Sequence, residues 1–133
     1  MRLTVDDMCF ACGIKNPIGL RLEFHFEGDD YVTAFEVRPE HQGWAGIVHG
    51  GLLATALDET MARLLWEKEI EAITGRLEIR YRKPVKIGER LEIRGRITRR
   101  RPPVVETVAE ARRTGGEVVA EAKAVSMEVA HVI

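Results

Sequence analysis

The chain is poor in side-chain amides, cysteine and aromatic rings: among 133 residues there is one Asn, one Gln and two Cys, and Phe, Trp and Tyr make up 6%. With 15 Arg among its 20 basic residues, the amide scarcity fits avoidance of heat-labile groups, so a thermophilic source is expected. No stretch reaches the roughly 18 consecutive apolar residues of a membrane span. The opening "MRLTVDDMCF" places two Asp where a signal peptide would be apolar, which leads to the expectation of a cytoplasmic protein. Charge of one sign is also lacking, with 20 basic against 21 acidic residues. That balance and the shortage of stacking aromatics exclude nucleic acid as a partner, even for the run "RRRPP", and give no reason to expect a membrane surface as one.

What is present is enough for one domain over residues 1–133: 45% hydrophobic and 31% charged residues, in a length that supports a single core. From Leu20, the residues Leu22, Phe24 and Phe26 alternate with Arg21, Glu23 and His25, a period of two that predicts a half-buried strand. "EGDD" turns the chain into a second strand, Tyr31 to Val37. After a loop from Pro39 to Val48, the residues Leu52, Leu53, Ala56, Leu57, Thr60, Met61, Leu64 and Leu65 take up the three-and-four spacing of an amphipathic helix from about His49 to Lys68. Further strands are predicted near Thr74 to Arg82, Arg90 to Arg100, Val104 to Thr114 and Glu117 to Val129, punctuated by "RKPVKIGE", "RRRPPV" and "TGGE". One apolar helix and a one-faced antiparallel sheet bury each other most simply if the sheet wraps the helix, an α+β arrangement with its last four strands joined by short turns.

Cys9 and Cys12 form a Cys-x-x-Cys pair within "MCFACGIKNPIGL". A structural zinc needs four ligands and no second pair follows, although His25 or a neighbouring subunit could complete the set. The loop-forming Gly13, Asn16, Pro17 and Gly19 do not suit the helix start of a thioredoxin-like redox pair. Reduced structural thiols, half a metal site and a redox pair all remain open, and no metal or cofactor is assigned.

The window "GIVHGGLLATALDET" carries the chemistry. Gly50 and Gly51 offer backbone N–H groups at a helix N-terminus, a mildly positive end suited to a developing oxyanion. A second helix face, Gly51, Ala54, Thr55, Asp58 and Ala62, is small except for its carboxylate, which must lie in a cleft or have a partner. Asp58 follows His49 by nine residues, about 13 Å along a helix. Both ends therefore serve one reacting group only if two chains dock with helices antiparallel, which predicts a site shared across a dimer.

"GWAGIVHGGLLATALDETMA" resembles the signature of hotdog-fold acyl-CoA thioesterases, in the phenylacetate-degradation (PaaI-like) branch. "CFACGIKNPIGL" and "TGRLEIRYRKPVKIGERLEIRGRI" are similar to that branch too. The resemblance implies a hotdog fold, with a long central helix wrapped by an antiparallel sheet of five to six strands. It also implies hydrolysis of an acyl-CoA by a homodimer or a dimer of dimers. In that reading Asp58 is nucleophile or general base, Gly50 supplies the N–H that polarises the thioester carbonyl, and His49 supports that end. Thr74, sixteen residues after the acid, matches a position where relatives carry an assisting hydroxyl. Relatives with Asn or Gln six residues before the His are not matched, since Gly43 stands there and Gln42 is displaced by one.

Gly51 joins the substrate contacts. For the coenzyme A phosphates the basic candidates are Arg80, Arg82, Lys83 and the run Arg99 to Arg101, each of which reads equally well as a solvated surface charge. The alternatives kept beside hydrolysis are a non-catalytic acyl-CoA sensor of the same fold and an enoyl-CoA hydratase or dehydratase.

Overall fold

A computed structural model describes residues 2–129. Its elements are β1 (Phe24–Glu27), β2 (Asp30–Glu36), a 3-10 turn at Pro39–His41, α1 (Gly50–Glu67), β3 (Ala72–Tyr81), β4 (Arg90–Arg101), β5 (Val104–Arg113) and β6 (Val118–Glu128). The six strands form one antiparallel sheet in the order β1-β2-β4-β5-β6-β3, and α1 packs against β2 through β6. This is the expected hotdog arrangement.

The spacing that predicts the helix also predicts its buried stripe: Leu53, Ala56, Leu57, Thr60, Met61, Leu64 and Leu65 are all buried. The sheet meets that stripe with Leu91, Ile93, Ala109, Ala111, Ala120, Ala122 and Ala124. These small alanines allow a close approach, and Gly95 allows the closest. A Cβ there would lie 3.0 Å from Thr60 Cγ2 and 3.6 Å from the Thr60 carbonyl, so a glycine in β4 sets how tightly the helix can seat.

Two features depart from the sequence reading. The predicted strand from Leu20 begins only at Phe24. Leu20 and Leu22 are buried as their alternation requires, but their N–H groups donate to Phe10 O and Ala11 O of the N-terminal loop. Arg21, at φ +53°, turns the backbone out of the extended region between them.

The second departure is strand order. Only β4, β5 and β6 form the expected meander, and β3 lies beyond β6 at the sheet edge. The segment 82–89 is therefore a crossover, and it runs past the start of the helix. It is tied there by Val48 N–H to Val85 O (2.8 Å) and Ile87 N–H to Gly46 O (3.0 Å).

The outer sheet face is laced with ion pairs, with Arg94 reaching Glu27, Asp30 and Glu92. A groove of about 820 Å³ runs over that face, lined by both signs of charge, among them Arg80, Arg96, Glu110 and Lys123. None of its lining residues comes from α1. Among the described residues, no helix is long and apolar enough to cross a membrane.

Candidate active site

The helix start is held before any chemistry is asked of it. The His49 N–H donates to His41 O (2.8 Å), and His49 is the N-cap, its Nδ1 accepting the Gly51 N–H at 2.9 Å. That bond places the ring's remaining proton on Nε2, and it also removes one expected donor, because Gly51's N–H is occupied by the cap. The Gly50 N–H has no acceptor among the described residues. One N–H, rather than two, is left without an acceptor at the positive end of α1.

Gly43 explains why no side chain is found six residues before the His. A Cβ on Gly43 would stand 3.0 Å from His49 Cα and 3.3 Å from its Cβ, so a side chain there presses on the cap and the loop backs onto it most closely as glycine. Gln42 does not substitute for the missing amide. Its Oε1 accepts the Gly46 N–H at 2.8 Å within the same loop.

Farther along the helix, Asp58 is half-buried and accepts a hydrogen bond from Thr74 Oγ1 at 3.1 Å. Burial pushes its carboxyl above the ordinary range, the neighbouring Glu59 charge adds to that, and the Thr74 hydroxyl opposes it. The two residues come from α1 and the edge strand β3. A register shift between Thr74 and Arg76 bends the strand at this point.

The same strand touches the helix start. Tyr81 Oη donates to the Gly50 carbonyl at 2.7 Å, and a Cβ on Gly50 would lie 3.3 Å from Tyr81 Cζ. Sequence reasoning did not identify Tyr81; nothing in its spacing links it to a residue 31 positions earlier. Gly50 is thus glycine for a spatial reason as well as a chemical one.

The basic candidates separate. Arg80 pairs in register with Glu121, between the buried Ala120 and Ala122, and Arg82 Nη2 lies 2.8 Å from Glu121 Oε2. Both therefore sit on the outer face, across the sheet from α1. Lys83 follows the strand end near Tyr81 and is exposed. Arg100 pairs with Glu128 (2.9 Å) and Arg99 with Glu106 (4.0 Å), and Arg101 is linked in register through Val104 to Met127. That is the opposite end of the sheet from Tyr81.

Cys9 and Cys12 lie beside Glu59, not His25. Cys9 Sγ is 3.2 Å from Glu59 Oε2, whereas His25 pairs with Glu27 at the surface.

Residues 45–120 match the family described as the thioesterase superfamily. Mouse (Mus musculus) acyl-coenzyme A thioesterase 13 is 28% identical over 95 residues, covering 69% of this chain and 68% of that protein. A solved thioesterase superfamily protein superposes with a TM-score of 0.86 at 20% identity, covering 92% of this chain; the chain spans 61% of that protein's length. A Streptococcus pneumoniae hypothetical thioesterase solved with coenzyme A gives 0.76 at 20% identity, with 80% and 84% of the two chains covered. The phenylacetic acid degradation protein PaaI of Thermus thermophilus, in a mutant form, gives 0.74 at 24% identity, over 82% and 94%. With the match reaching over more than half of its residues, and the helix and wrapped sheet already in place, this chain belongs to the thioesterase superfamily.

Proposed function

We propose that the protein hydrolyses an acyl-CoA thioester to the free acid and coenzyme A. The observation that carries the reading is Asp58: a carboxylate half-buried on an otherwise small helix face, held by the Thr74 hydroxyl and disfavoured by burial from staying charged. Such a group is a stronger base than a solvated Asp. Thr74 holds Oδ1, leaving Oδ2 to attack the thioester carbonyl or to take a proton from an attacking water. Either route puts negative charge on the carbonyl oxygen, which the Gly50 N–H and the helix dipole stabilise. His49 keeps that N–H aimed by capping the next one, and Tyr81 braces the Gly50 carbonyl.

The acting unit in this reading is a dimer. Within one chain Gly50 and Asp58 are separated by eight helical steps, about 12 Å, too far to serve one carbonyl. The ten-residue strand β3 leaves one edge unpaired, and a free edge of that length invites pairing with another copy. A two-fold contact there brings the Gly50 end of one helix towards Asp58 of the other. Coenzyme A binding is supported by the ligand of the Streptococcus pneumoniae structure, with Lys83, exposed just past the end of β3, a basic candidate for it.

The test is thiol release from a panel of aromatic, short-chain and long-chain acyl-CoAs by wild type and Asp58→Ala, with native mass measured alongside. Turnover by wild type that collapses in the variant is expected. Saturable acyl-CoA binding with no hydrolysis in either protein refutes the enzyme reading in favour of a sensor. A one-chain native mass with full activity removes the shared site.

A further inference from the structure

The N-terminal loop carries a second cluster that the hydrolytic reading leaves unused. Cys9 and Cys12 meet Glu59, which comes from fifty residues later on α1; one ligand atom from each of the three lies within 4.8 Å of the others. All three side chains are half-buried. The loop that presents the thiols is built to do so. Gly13 donates its N–H to Cys9 O at 2.8 Å, Lys15 N–H donates to Asp7 O at 2.9 Å, and Asn16 Nδ2 donates to Met8 O at 3.0 Å. Gly13 directly follows Cys12, and a Cβ there would lie 2.4 Å from Asp7 O and 2.5 Å from Cys9 N. The backbone closes on itself at the residue where a Cys-x-x-Cys turn must fold tightly. Buried Ala11, Leu20 and Leu22 anchor the loop to the core.

From this geometry we propose that Cys9, Cys12 and Glu59 bind one divalent zinc ion, which fastens the N-terminal loop to α1. The donor types are suitable, since zinc takes thiolate sulfur and carboxylate oxygen; the three protein ligands are one short of the closed four-ligand set, and a solvent molecule fills the fourth tetrahedral position. The cluster also balances in charge. Two thiolates, one carboxylate and Zn²⁺ sum to −1, and Arg63, one helical turn beyond Glu59, places Nη1 3.7 Å from Cys12 Sγ, where it neutralises the remainder and donates to the sulfur. Without a cation the Cys9 thiol donates to Glu59 Oε2 at 3.2 Å. Binding zinc releases the thiol protons to solvent and replaces that hydrogen bond by coordination. The sequence reading stopped at two ligands because the third is separated from them along the chain and is set beside them only by the packing of loop on helix.

The experiment uses the full chain, kept reduced, with Zn²⁺ and with Co²⁺ as a spectroscopic stand-in. The expected result is one zinc per chain surviving desalting, both thiols protected from a thiol reagent until a chelator is added, and thiolate-to-Co²⁺ charge-transfer bands in the cobalt form. Cys9→Ser and Cys12→Ser should each abolish retention. Glu59→Gln, which keeps both thiols and needs no refolding of the loop, should weaken affinity more than Arg63→Met, for which about 10–100-fold is expected of an outer partner. Reduced protein that takes up no metal while both thiols react freely overturns the proposal. So does a Cys9–Cys12 disulfide that forms in air without prior metal loss, or uptake that Glu59→Gln leaves unchanged.

Discussion

Asp58→Asn separates the chemistry of the site from its architecture, because the amide keeps the shape of the carboxylate and its oxygen can still accept the Thr74 hydroxyl. In the folded protein the charge on Asp58 is disfavoured by burial first and by Glu59 second, with one side-chain donor, Thr74, to offset them. Deleting that charge should therefore stabilise the fold. Site-relieving substitutions gain about 0.5–2 kcal/mol, and solvent on the open side of this half-buried group holds the effect to the lower half of that range, about 1 kcal/mol or less. At an unfolding entropy of roughly 2.1 cal/mol/K per residue, a chain of 133 residues loses about 0.28 kcal/mol of stability per kelvin near Tm, so 1 kcal/mol raises Tm by about 3–4 °C. Loss of the base or nucleophile should meanwhile lower kcat by about 100- to 10,000-fold. Thermal unfolding and thiol release are to be measured on the same preparation. A variant that melts several degrees lower shows that the carboxylate is a structural ion. A variant that melts higher but turns over like wild type shows that Asp58 is strained for some purpose other than hydrolysis.

Three further outcomes follow from neighbouring contacts. Thr74→Val removes the only side-chain hydrogen bond to Asp58 among the described residues and should lower kcat by about 10-fold, one 1.4 kcal/mol step. Thr74→Ser restores the rate, and steady-state kinetics of both variants decides whether the hydroxyl matters. Gly43→Ala forces its methyl within 3.0 Å of His49 Cα and should cost about 1–3 kcal/mol together with activity; a full-rate variant of unchanged Tm contradicts the role given to that close approach. Stability should also fall in mild acid through His41. Burial, then the charge of Arg38, hold its ring below the usual imidazole range against the smaller opposing effect of Glu40, and its Nδ1 accepts the Arg38 N–H at 3.0 Å. The unfolded chain then takes up a proton at higher pH than the folded one, so this contribution is complete above about pH 6.5 and is lost as pH falls through the lower folded value. Urea midpoints from pH 8 to 5 should drop for wild type, with a smaller drop in His41→Gln.

The sequence made the helix legible because its apolar positions recur with the helical period, and α1 runs within a residue of the expected bounds at each end. Strand identities were legible for the same reason, but strand neighbours were not. Alternation shows which face of β3 is buried and is silent on whether its partner is β4 or β6. The extended region before Phe24 misled because alternation survives a residue such as Arg21 at positive φ: side chains still point inward while the backbone bonds to a different partner. At the site, His49, Gly50, Asp58 and Thr74 could be singled out from one window and one resemblance. Tyr81 on Gly50 and Glu59 beside the cysteines could not, since each contact is made by the packing of distant segments. The Cys-x-x-Cys spacing of Cys9 and Cys12 was the local signal available for the second cluster.

The placement that the sequence did not show is the one on which the site depends. As the edge strand, β3 touches α1 twice, through Thr74 on Asp58 and through Tyr81 on Gly50, so one element holds both the proposed acid and the proposed oxyanion end. Had β3 paired with β4 as a simple meander would have it, these contacts would fall in the middle of a sheet with no free edge beside them. In the proposed dimer, the outermost strand holds each half-site in the geometry its own chain can supply and leaves its other edge to meet the chain that supplies the rest. Catalysis and association in that proposed dimer are therefore coupled through the same ten residues. A substitution that blocks pairing at the outer edge of β3 should abolish turnover while leaving the Thr74–Asp58 bond and the fold of the single chain intact.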